Sequence, residues 1–123
     1  MIRWQATLTA ALLVCACGGD VVERHPVPGA APERGRAVIA RVGCASCHEI
    51  PGVAWPEGKV GPSLEGFAAR TLIAGRYPNQ PEILSQYVRN APAFTPQGGM
   101  PPMPITEPEA RDVAAYLYTL EPR

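Results

Sequence analysis

The sequence predicts an all-α fold in which three main helices are joined by long loops. Three segments place apolar residues at the three- and four-residue spacing of a helix face. No segment alternates apolar and polar side chains in the way that a half-buried strand does. The chain also holds 15 prolines and 12 glycines in 123 residues, and these residue types favour loops over element interiors.

The first helix is predicted over residues 32–42. Pro32 suits the first helical position, because the amide proton that proline lacks has no helical partner there. Apolar side chains then fall on one face of the segment and arginines on the other. Gly43 ends the helix directly before a group of two cysteines and a histidine.

The second and third helices each begin beside two side chains at capping-box spacing. Asn79 and Glu82 stand at the start of a helix over residues 81–89, whose buried stripe comprises Ile83, Leu84, Tyr87 and Val88. Thr106 and Glu109 bracket the start of the last helix. Its buried face is predicted to comprise Ala110, Val113, Ala114, Leu117 and Leu120.

Cys44-Ala45-Ser46-Cys47-His48 is the strongest chemical signal in the chain. Two thiols three positions apart, followed at once by an imidazole, form the covalent attachment site of a c-type haem. On the first turn of a helix, the two sulfurs reach the two vinyl-derived positions on one edge of the porphyrin. His48 then ligates the iron from the proximal side. A single such motif predicts a single haem c.

Two other interpretations of a Cys-x-x-Cys pair have to be weighed. A redox dithiol is disfavoured by the histidine that follows and by the absence of a βαβ pattern. A structural zinc site needs a second pair of ligands. Cys15 and Cys17 lie in a segment that we expect to be processed, and His25 stands alone in a proline-rich stretch.

Residues 1–16 are predicted to be a signal peptide. Arg3 supplies a positive charge, and the apolar stretch over residues 6–14 is too short to span a bilayer. A small residue before a cysteine resembles a bacterial lipobox, and Ala16-Cys17 fits this better than Val14-Cys15. We therefore expect a periplasmic or other extracytoplasmic lipoprotein held at the membrane by lipid on Cys17. The alternatives are an ordinary signal peptide and an uncleaved anchor.

Cleavage before Cys17 leaves 107 residues, which suits one small domain. Residues 17–31 are rich in proline, glycine and alanine and predict a lipid-anchored flexible tether, and residues 32–123 form the folded domain. Losing Arg3 leaves ten basic against eleven acidic residues, a balance that does not suit nucleic acid binding. A domain of this size buries a small core, so we expect the porphyrin to complete it and the apoprotein to fold poorly.

Residues 97–104, Gln-Gly-Gly-Met-Pro-Pro-Met-Pro, form a proline-stiffened loop directly before the last helix. Prolines lower the entropy cost of holding one loop shape, and glycines permit close approach to a ligand. A methionine thioether on such a loop suits a sixth iron ligand, and a Met/His pair raises the haem potential. The alternative is that Met100 and Met103 only fill gaps in the core.

Taken in order, these motifs resemble the class I cytochrome c family over residues 32–120. The family has an N-terminal helix, Cys-x-x-Cys-His, Gly-Pro-x-Leu, a Met-Pro loop and a C-terminal helix with a Tyr-Leu pair. This sequence supplies residues 44–48, 61–64, 100–101 and 116–117 in that order. Residues 109–112, Glu-Ala-Arg-Asp, further resemble the small monohaem cytochromes of bacterial respiratory chains. The resemblance implies the cytochrome c fold around one covalently attached haem.

The resemblance also implies the iron ligands. His48 and Met100 are the expected axial ligands, and Met103 ranks second because it aligns with an ordinary apolar position of the family. Cys44 and Cys47 are the expected thioether positions.

Other residues are expected to support the haem. The Pro62 carbonyl is expected to accept a hydrogen bond from His48 and fix its tautomer, and Leu64 to pack on the haem face. Tyr87 stands where the family often has a tryptophan that binds a propionate. Arg70 and Arg76 are further propionate candidates.

Two packing contacts are also expected. Gly35 is expected to admit Tyr116 where the first and last helices cross, in line with the resemblance. Trp55 is expected to pack in a loop near the haem edge, without an assigned role.

This coordination predicts electron transfer without substrate chemistry. With both axial positions filled by protein, the iron cycles between Fe(II) and Fe(III). We expect an electron carrier, not an enzyme by itself, acting between extracytoplasmic redox partners such as a respiratory dehydrogenase and a terminal oxidase. The alternatives are a fixed haem c subunit of a dehydrogenase or oxidase complex, and a five-coordinate peroxidase or gas sensor. The last needs a distal acid or base, and His25 is the only other histidine.

Overall fold

A computed structural model of the protein describes residues 25–123. The predicted all-α fold with long loops is confirmed for these residues. The helices are α1 (Pro32–Val42), α2 (Pro81–Arg89), α3 (Ala91–Phe94) and α4 (Glu107–Leu117), with two short 3-10 helices at Cys44–Ser46 and Phe67–Ala69. The predicted signal peptide, Cys15, Cys17 and the first part of the predicted tether lie outside the described residues.

Two short strands interrupt the helical pattern. β1 (Leu72–Ile73) pairs antiparallel with β2 (Tyr77–Pro78), with Leu72 opposite Pro78 and Ile73 opposite Tyr77. The sequence gives no sign of them because two residues are too few to show a period of two. The pair forms a small hairpin before α2 and leaves the helical core as predicted.

Helices α1 and α4 cross in direct backbone contact. Gly35 makes this possible, because a Cβ at this position would overlap the backbone carbonyl of Asp112. The sequence predicts that Gly35 makes room for the Tyr116 side chain, and this is wrong. The group that lies against Gly35 is the α4 backbone at Asp112. Tyr116 instead approaches Gly52, and its hydroxyl donates to the Pro51 carbonyl at 2.6 Å.

Asp112 joins the same two helices through its side chain. Its carboxylate accepts hydrogen bonds from the Ala31 backbone at 2.7 Å and from Nε of Arg34 at 2.8 Å. The hydrogen bond from Arg34 is the main reason that the pKa of Asp112 lies below its ordinary value. A carboxylate on α4 thus anchors the start of α1.

The capping box predicted for α4 is confirmed. The Thr106 hydroxyl accepts from the Glu109 backbone, and the Glu109 carboxylate accepts from the Thr106 backbone at 2.8 Å. These bonds satisfy two amide groups that the first helical turn leaves without helical partners. All five residues predicted for this buried face are buried, namely Ala110, Val113, Ala114, Leu117 and Leu120. The helix ends at Leu117, however, so Leu120 is buried from the segment that follows it.

The capping box predicted for α2 is wrong. Its N-cap residue is Gln80, and no side chain caps this helix end. Asn79 is buried instead, where its amide donates to the Arg70 carbonyl at 2.9 Å and its oxygen accepts from the Tyr118 hydroxyl at 3.0 Å. The buried stripe of α2 is confirmed at Leu84 and Val88, whereas Ile83 and Tyr87 pack half-buried against the core.

Residues 25–31, the last part of the predicted tether, lie against the folded domain. The Pro28 carbonyl accepts a hydrogen bond from Arg111 at 3.0 Å, and Val27 packs against the core. The His25 ring lies 4.7 Å from the Tyr118 ring, centroid to centroid. These contacts fix residues 25–31 to the folded domain, although the composition of this segment predicts a flexible tether. Within residues 25–123, no helix has the length and apolar character needed to cross a bilayer.

Candidate haem site

An apolar cavity of about 590 Å³ lies between the loops and helices α1, α2 and α4. Its size falls within the range of ordinary cofactor sites, about 300–1,000 Å³. The structure brings eight of the residues expected to hold the cofactor into the wall of this one cavity, and Arg76 is not among them. They are Cys44, Cys47, His48, Pro62, Leu64, Arg70, Tyr87 and Met100.

The two cysteines lie on a single 3-10 turn that follows α1. Gly43 ends the helix with a φ of +79°, a left-handed conformation that turns the chain sharply and suits glycine. Cys44 is half-buried and Cys47 is exposed, and both thiols are free of disulfides. Burial raises the pKa of the Cys44 thiol. The sequence predicts this motif on the first turn of a helix, and a 3-10 turn fills that place.

A second loop, residues 58–64, lies directly against the cysteine motif. A Cβ at Gly58 would overlap the Ser46 carbonyl, so only glycine fits this approach. Three backbone hydrogen bonds of 2.7–2.9 Å fix the loop. The amides of Gly58, Gly61 and Leu64 donate to the carbonyls of Ala45, Cys47 and Glu49, respectively. The loop thereby brings Pro62 and Leu64 to the cavity.

His48 is held by the same loop. Its Nδ1 lies 2.8 Å from the Pro62 carbonyl oxygen. A carbonyl only accepts hydrogen bonds, so Nδ1 must donate, and the neutral ring keeps its lone pair on Nε2. Gly61 lies against the ring, since a Cβ there would lie 2.5 Å from Cε1 of His48. This tautomer is the one that a metal bound at Nε2 requires.

Both methionines of the proline-rich loop line the cavity and are half-buried. The Met103 backbone donates to the Arg89 carbonyl at 2.9 Å, which ties this residue to the end of α2. Met100 follows the exposed glycines Gly98 and Gly99. Two soft sulfur donors are thus available in the same cavity as the imidazole.

The nominated propionate residues separate into two groups. Arg70 lines the cavity, donates to the Ser63 carbonyl and lies 5.4 Å from the centre of the Phe67 ring. Tyr87 also lines the cavity. Arg76 is exposed and is not among the lining residues.

Trp55 does not pack as expected. Its side chain is 85% exposed, and the sequence holds no signal for this, because an aromatic in a loop is compatible with either environment.

Several apolar lining residues were not nominated from the sequence. Ile39 and Val42 reach the cavity from α1, and Ile50 and Phe67 reach it from loops. The helical periodicity of α1 identifies Ile39 and Val42 as members of its buried face, but it does not say what that face covers. An apolar wall, two free thiols and an imidazole with an available Nε2 together fit a covalently attached haem.

Comparison with known proteins gives the family. The sequence model of the family described as cytochrome c matches residues 32–121. The chain belongs to the cytochrome c family. It is a class I c-type cytochrome with the all-α cytochrome c fold and a covalently attached haem c with its iron, and it transfers electrons through that haem.

Solved structures show the same fold. SoxXA from P. pantotrophus superposes with a TM-score of 0.58 at 21% identity, covering 75% of this chain and 82% of the other. The c-type cytochrome SorU from Sinorhizobium meliloti superposes with a TM-score of 0.52 at 24% identity, covering 73% of this chain and 90% of the other.

A curated relative is a cytochrome c oxidase subunit 2 of Alkalihalophilus pseudofirmus. It is 29% identical over 89 residues, which are 72% of this chain and 25% of the relative. This chain therefore spans about a quarter of the length of that relative.

Proposed function

We propose that the protein is a single-electron carrier whose haem iron is held between His48 and Met100. The observation that carries this proposal is the 2.8 Å hydrogen bond from Nδ1 of His48 to the Pro62 carbonyl. This bond leaves Nε2 for the iron and raises the basicity of the imidazole. The position of Met100 in the wall of the same cavity supports a thioether as the second axial ligand.

The other nominated residues hold the cofactor. The bound haem supplies the one-electron Fe(II)/Fe(III) couple. Cys44 and Cys47 fix the ring covalently, and Leu64 packs against it in the cavity wall. Arg70 offers a positive charge in this wall, and Tyr87 offers a hydroxyl, so we assign both to the propionates. Because protein side chains fill both axial positions and the wall is apolar, the coordination of the iron is expected to change little on electron transfer.

The cavity wall does not favour a peroxidase. Among the described residues that line it, there is no aspartate, no glutamate and no histidine other than His48. His25 contacts Tyr118 instead. A peroxidase needs a positioned acid or base beside the iron, so we propose that the protein is not an enzyme by itself.

We propose that the redox partners are respiratory proteins. The relative whose name is cytochrome c oxidase subunit 2 favours a terminal oxidase as the electron acceptor, and a respiratory dehydrogenase then serves as the donor. The same relative favours one alternative, a fixed haem c subunit of an oxidase complex. Copurification with a stoichiometric partner from the native membrane would favour the fixed subunit, and release of the free protein would favour the carrier.

We further propose that the protein is extracytoplasmic and anchored by lipid on Cys17. The support is the sequence pattern of an apolar stretch that ends at Ala16-Cys17. Cys17→Ser is expected to abolish acylation and release the protein from membranes, as measured by mass spectrometry and fractionation. Cys15→Ser is the matched control and is expected to leave both unchanged. Acylation that persists in Cys17→Ser contradicts the assignment.

The ligand assignment is tested by the optical spectrum of the oxidised holoprotein into the near infrared. His48/Met100 coordination predicts a low-spin spectrum with the sulfur-to-iron charge-transfer band. Met100→Ala is expected to lose this band, and the matched variant Met103→Ala to keep it. Loss of the band in Met103→Ala alone would transfer the role to Met103. A high-spin spectrum without the band in the unmodified protein would overturn the carrier proposal.

A further inference from the structure

The opening of the haem cavity is bordered by uncharged residues. Eight of the residues that line the cavity are exposed, and we call them the neutral rim. They are Ser46, Cys47, Val60, Pro62, Ala74, Gly98, Gly99 and Pro101. Arg70 is the only charged residue among the described lining residues, and it is half-buried with its guanidinium bonded to the Ser63 carbonyl.

Charged side chains are absent from the rim and sparse in the two loops that carry most of it. Residues 95–105 carry no charged side chain, and residues 58–64 carry only Lys59. Helices α1 and α4, by contrast, hold arginines and carboxylates that pair with one another, as Arg34 does with Asp112 and Arg41 with Glu109. The rim residues therefore carry no formal charge of their own, and Lys59 is the one charged side chain in the two loops that carry most of the rim.

Two large apolar side chains are exposed at or near the rim. Val60 is 88% exposed although it lines the cavity. Trp55 is 85% exposed and stands three residues before Gly58, which is hydrogen-bonded to Ala45 of the haem motif. Three residues span at most about 11 Å, so Trp55 lies within reach of the rim. Tryptophan is one of the residue types enriched among the dominant contacts of protein interfaces.

We propose that the neutral rim, with Val60 and Trp55 as its apolar anchors, is the docking surface for a redox protein with an uncharged, apolar patch of its own. This inference rests on the proposed electron-carrier function and adds the chemistry of the partner. A partner with a charged docking patch would bury charges opposite groups that cannot compensate them, at a cost in binding free energy. An apolar patch instead buries Val60 and Trp55 and gains from their removal from water.

The proposal predicts association that salt does not weaken. The probes are gold electrodes coated with alkanethiol monolayers that end in methyl, carboxylate or ammonium groups. The holoprotein is expected to exchange electrons fastest at the methyl surface. Its rate there should change less than about twofold between about 10 mM and 0.5 M salt, because no charge pair is screened.

Substitutions locate the effect on the rim. Val60→Lys is expected to lower the rate at the methyl surface at least about fivefold, and Trp55→Ala to lower it about twofold or more. Leu72→Lys is the matched control, because Leu72 is also an exposed apolar residue, at 44%, but does not line the cavity. Val60 is so exposed that its replacement does not disturb the core.

Three outcomes would overturn the proposal. The first is a faster rate at a charged surface that falls with salt, and the second is an equal loss in Leu72→Lys and Val60→Lys. The third is sedimentation that shows a dimer of this chain abolished by Val60→Lys, because a second copy then covers the rim. Failure of the carrier function would give a different result from failure of the docking proposal. The wild-type holoprotein would then show no reversible voltammetric wave, even with a small soluble mediator.

Discussion

Gly61 and Pro62 position His48 through two different kinds of contact. The Pro62 carbonyl accepts the proton of Nδ1 at 2.8 Å. Gly61 allows the backbone to lie so close to the imidazole that a Cβ would be 2.5 Å from Cε1 and 2.7 Å from Nδ1 of His48. The hydrogen bond fixes the tautomer, and the close approach limits rotation of the ring. Both effects depend on a loop that is itself bonded to the cysteine motif.

Replacing Gly61 therefore tests how His48 is held. Gly61→Ala is expected to displace the imidazole or the loop, weaken the bond to Pro62 and cost about 1–3 kcal/mol of stability. We expect a high-spin component in the oxidised spectrum and a lower reduction potential. Gly75→Ala is the control, because a Cβ at Gly75 would meet no atom within 4 Å, although the φ of this residue is +67°. We expect this variant to lose about 1 kcal/mol of folding free energy without a change in the spectrum. An unaltered spectrum in Gly61→Ala contradicts the positioning role.

Residue-level prediction from the sequence works best where the chemistry fixes the spacing. The cysteine motif and the Gly-Pro-x-Leu stretch are short and ordered, and the structure brings their residues into one cavity wall. Arg70 and Arg76 were nominated on charge alone, and only Arg70 lines the cavity. An arginine is equally compatible with solvent and with a propionate, so its identity does not decide its position.

At the scale of elements, a side chain on α4 anchors the start of α1. Asp112 is 6% exposed, and its carboxylate accepts bonds from Ala31 and from two nitrogens of Arg34 at 2.7–2.8 Å. Together with the close approach at Gly35, this contact sets how the two helices cross. Because Ile39 and Leu117 of these helices line the haem cavity, the crossing also shapes the cofactor site.

The Asp112 contact makes part of the stability depend on pH. The hydrogen bond from Arg34 lowers the pKa of Asp112. A carboxylate with a lowered folded pKa stabilises the fold above its unfolded pKa, about 4, and loses this contribution as pH falls through the folded pKa. Asp112→Asn is thus expected to lower the free energy of unfolding at pH 7 by about 1–3 kcal/mol, and the deficit is expected to shrink in acid.

Denaturant titration of the holoprotein at pH 7 and below pH about 3 measures this difference. Glu121→Gln is the matched control, because Glu121 is an exposed carboxylate, and it is expected to change stability by less than about 0.5 kcal/mol. If Asp112→Asn lowers the free energy of unfolding equally at both pH values, packing and not the charge of Asp112 accounts for the stabilisation.

The two predicted capping boxes show where local patterns fail. Thr106 and Glu109 form theirs, because Oε2 of Glu109 serves the cap while Oε1 accepts from Arg41. Asn79 has the same spacing from Glu82 but bonds to Tyr118, which is 39 residues further along the chain. A pattern of four residues contains no information about that partner. The bounds of α1 were predictable from Pro32 and Gly43, whereas the use of individual polar side chains was not predictable.

At the scale of the whole molecule, the haem cavity and the hydrophobic core share a wall that includes Ile39, Leu84 and Leu117. The cavity is lined by residues from α1, α2, α4 and the loops between them. Apolar side chains such as Ile39, Leu84 and Val113 line its inner wall. Without the porphyrin these side chains would face water or collapse against one another, and the chain would lose the apolar contacts that the ring supplies.

Haem attachment and folding are therefore expected to be inseparable. The double variant Cys44→Ala/Cys47→Ala, which lacks both thioether positions, is expected to lose most helical circular dichroism and to melt without a cooperative transition. Ser46→Ala, a change within the same motif that keeps both cysteines and His48, is expected to melt cooperatively as the holoprotein does. A compact double variant with a cooperative melt would mean that the helices repack to fill the cavity, and that the α1/α4 crossing is sufficient to specify the fold without the cofactor.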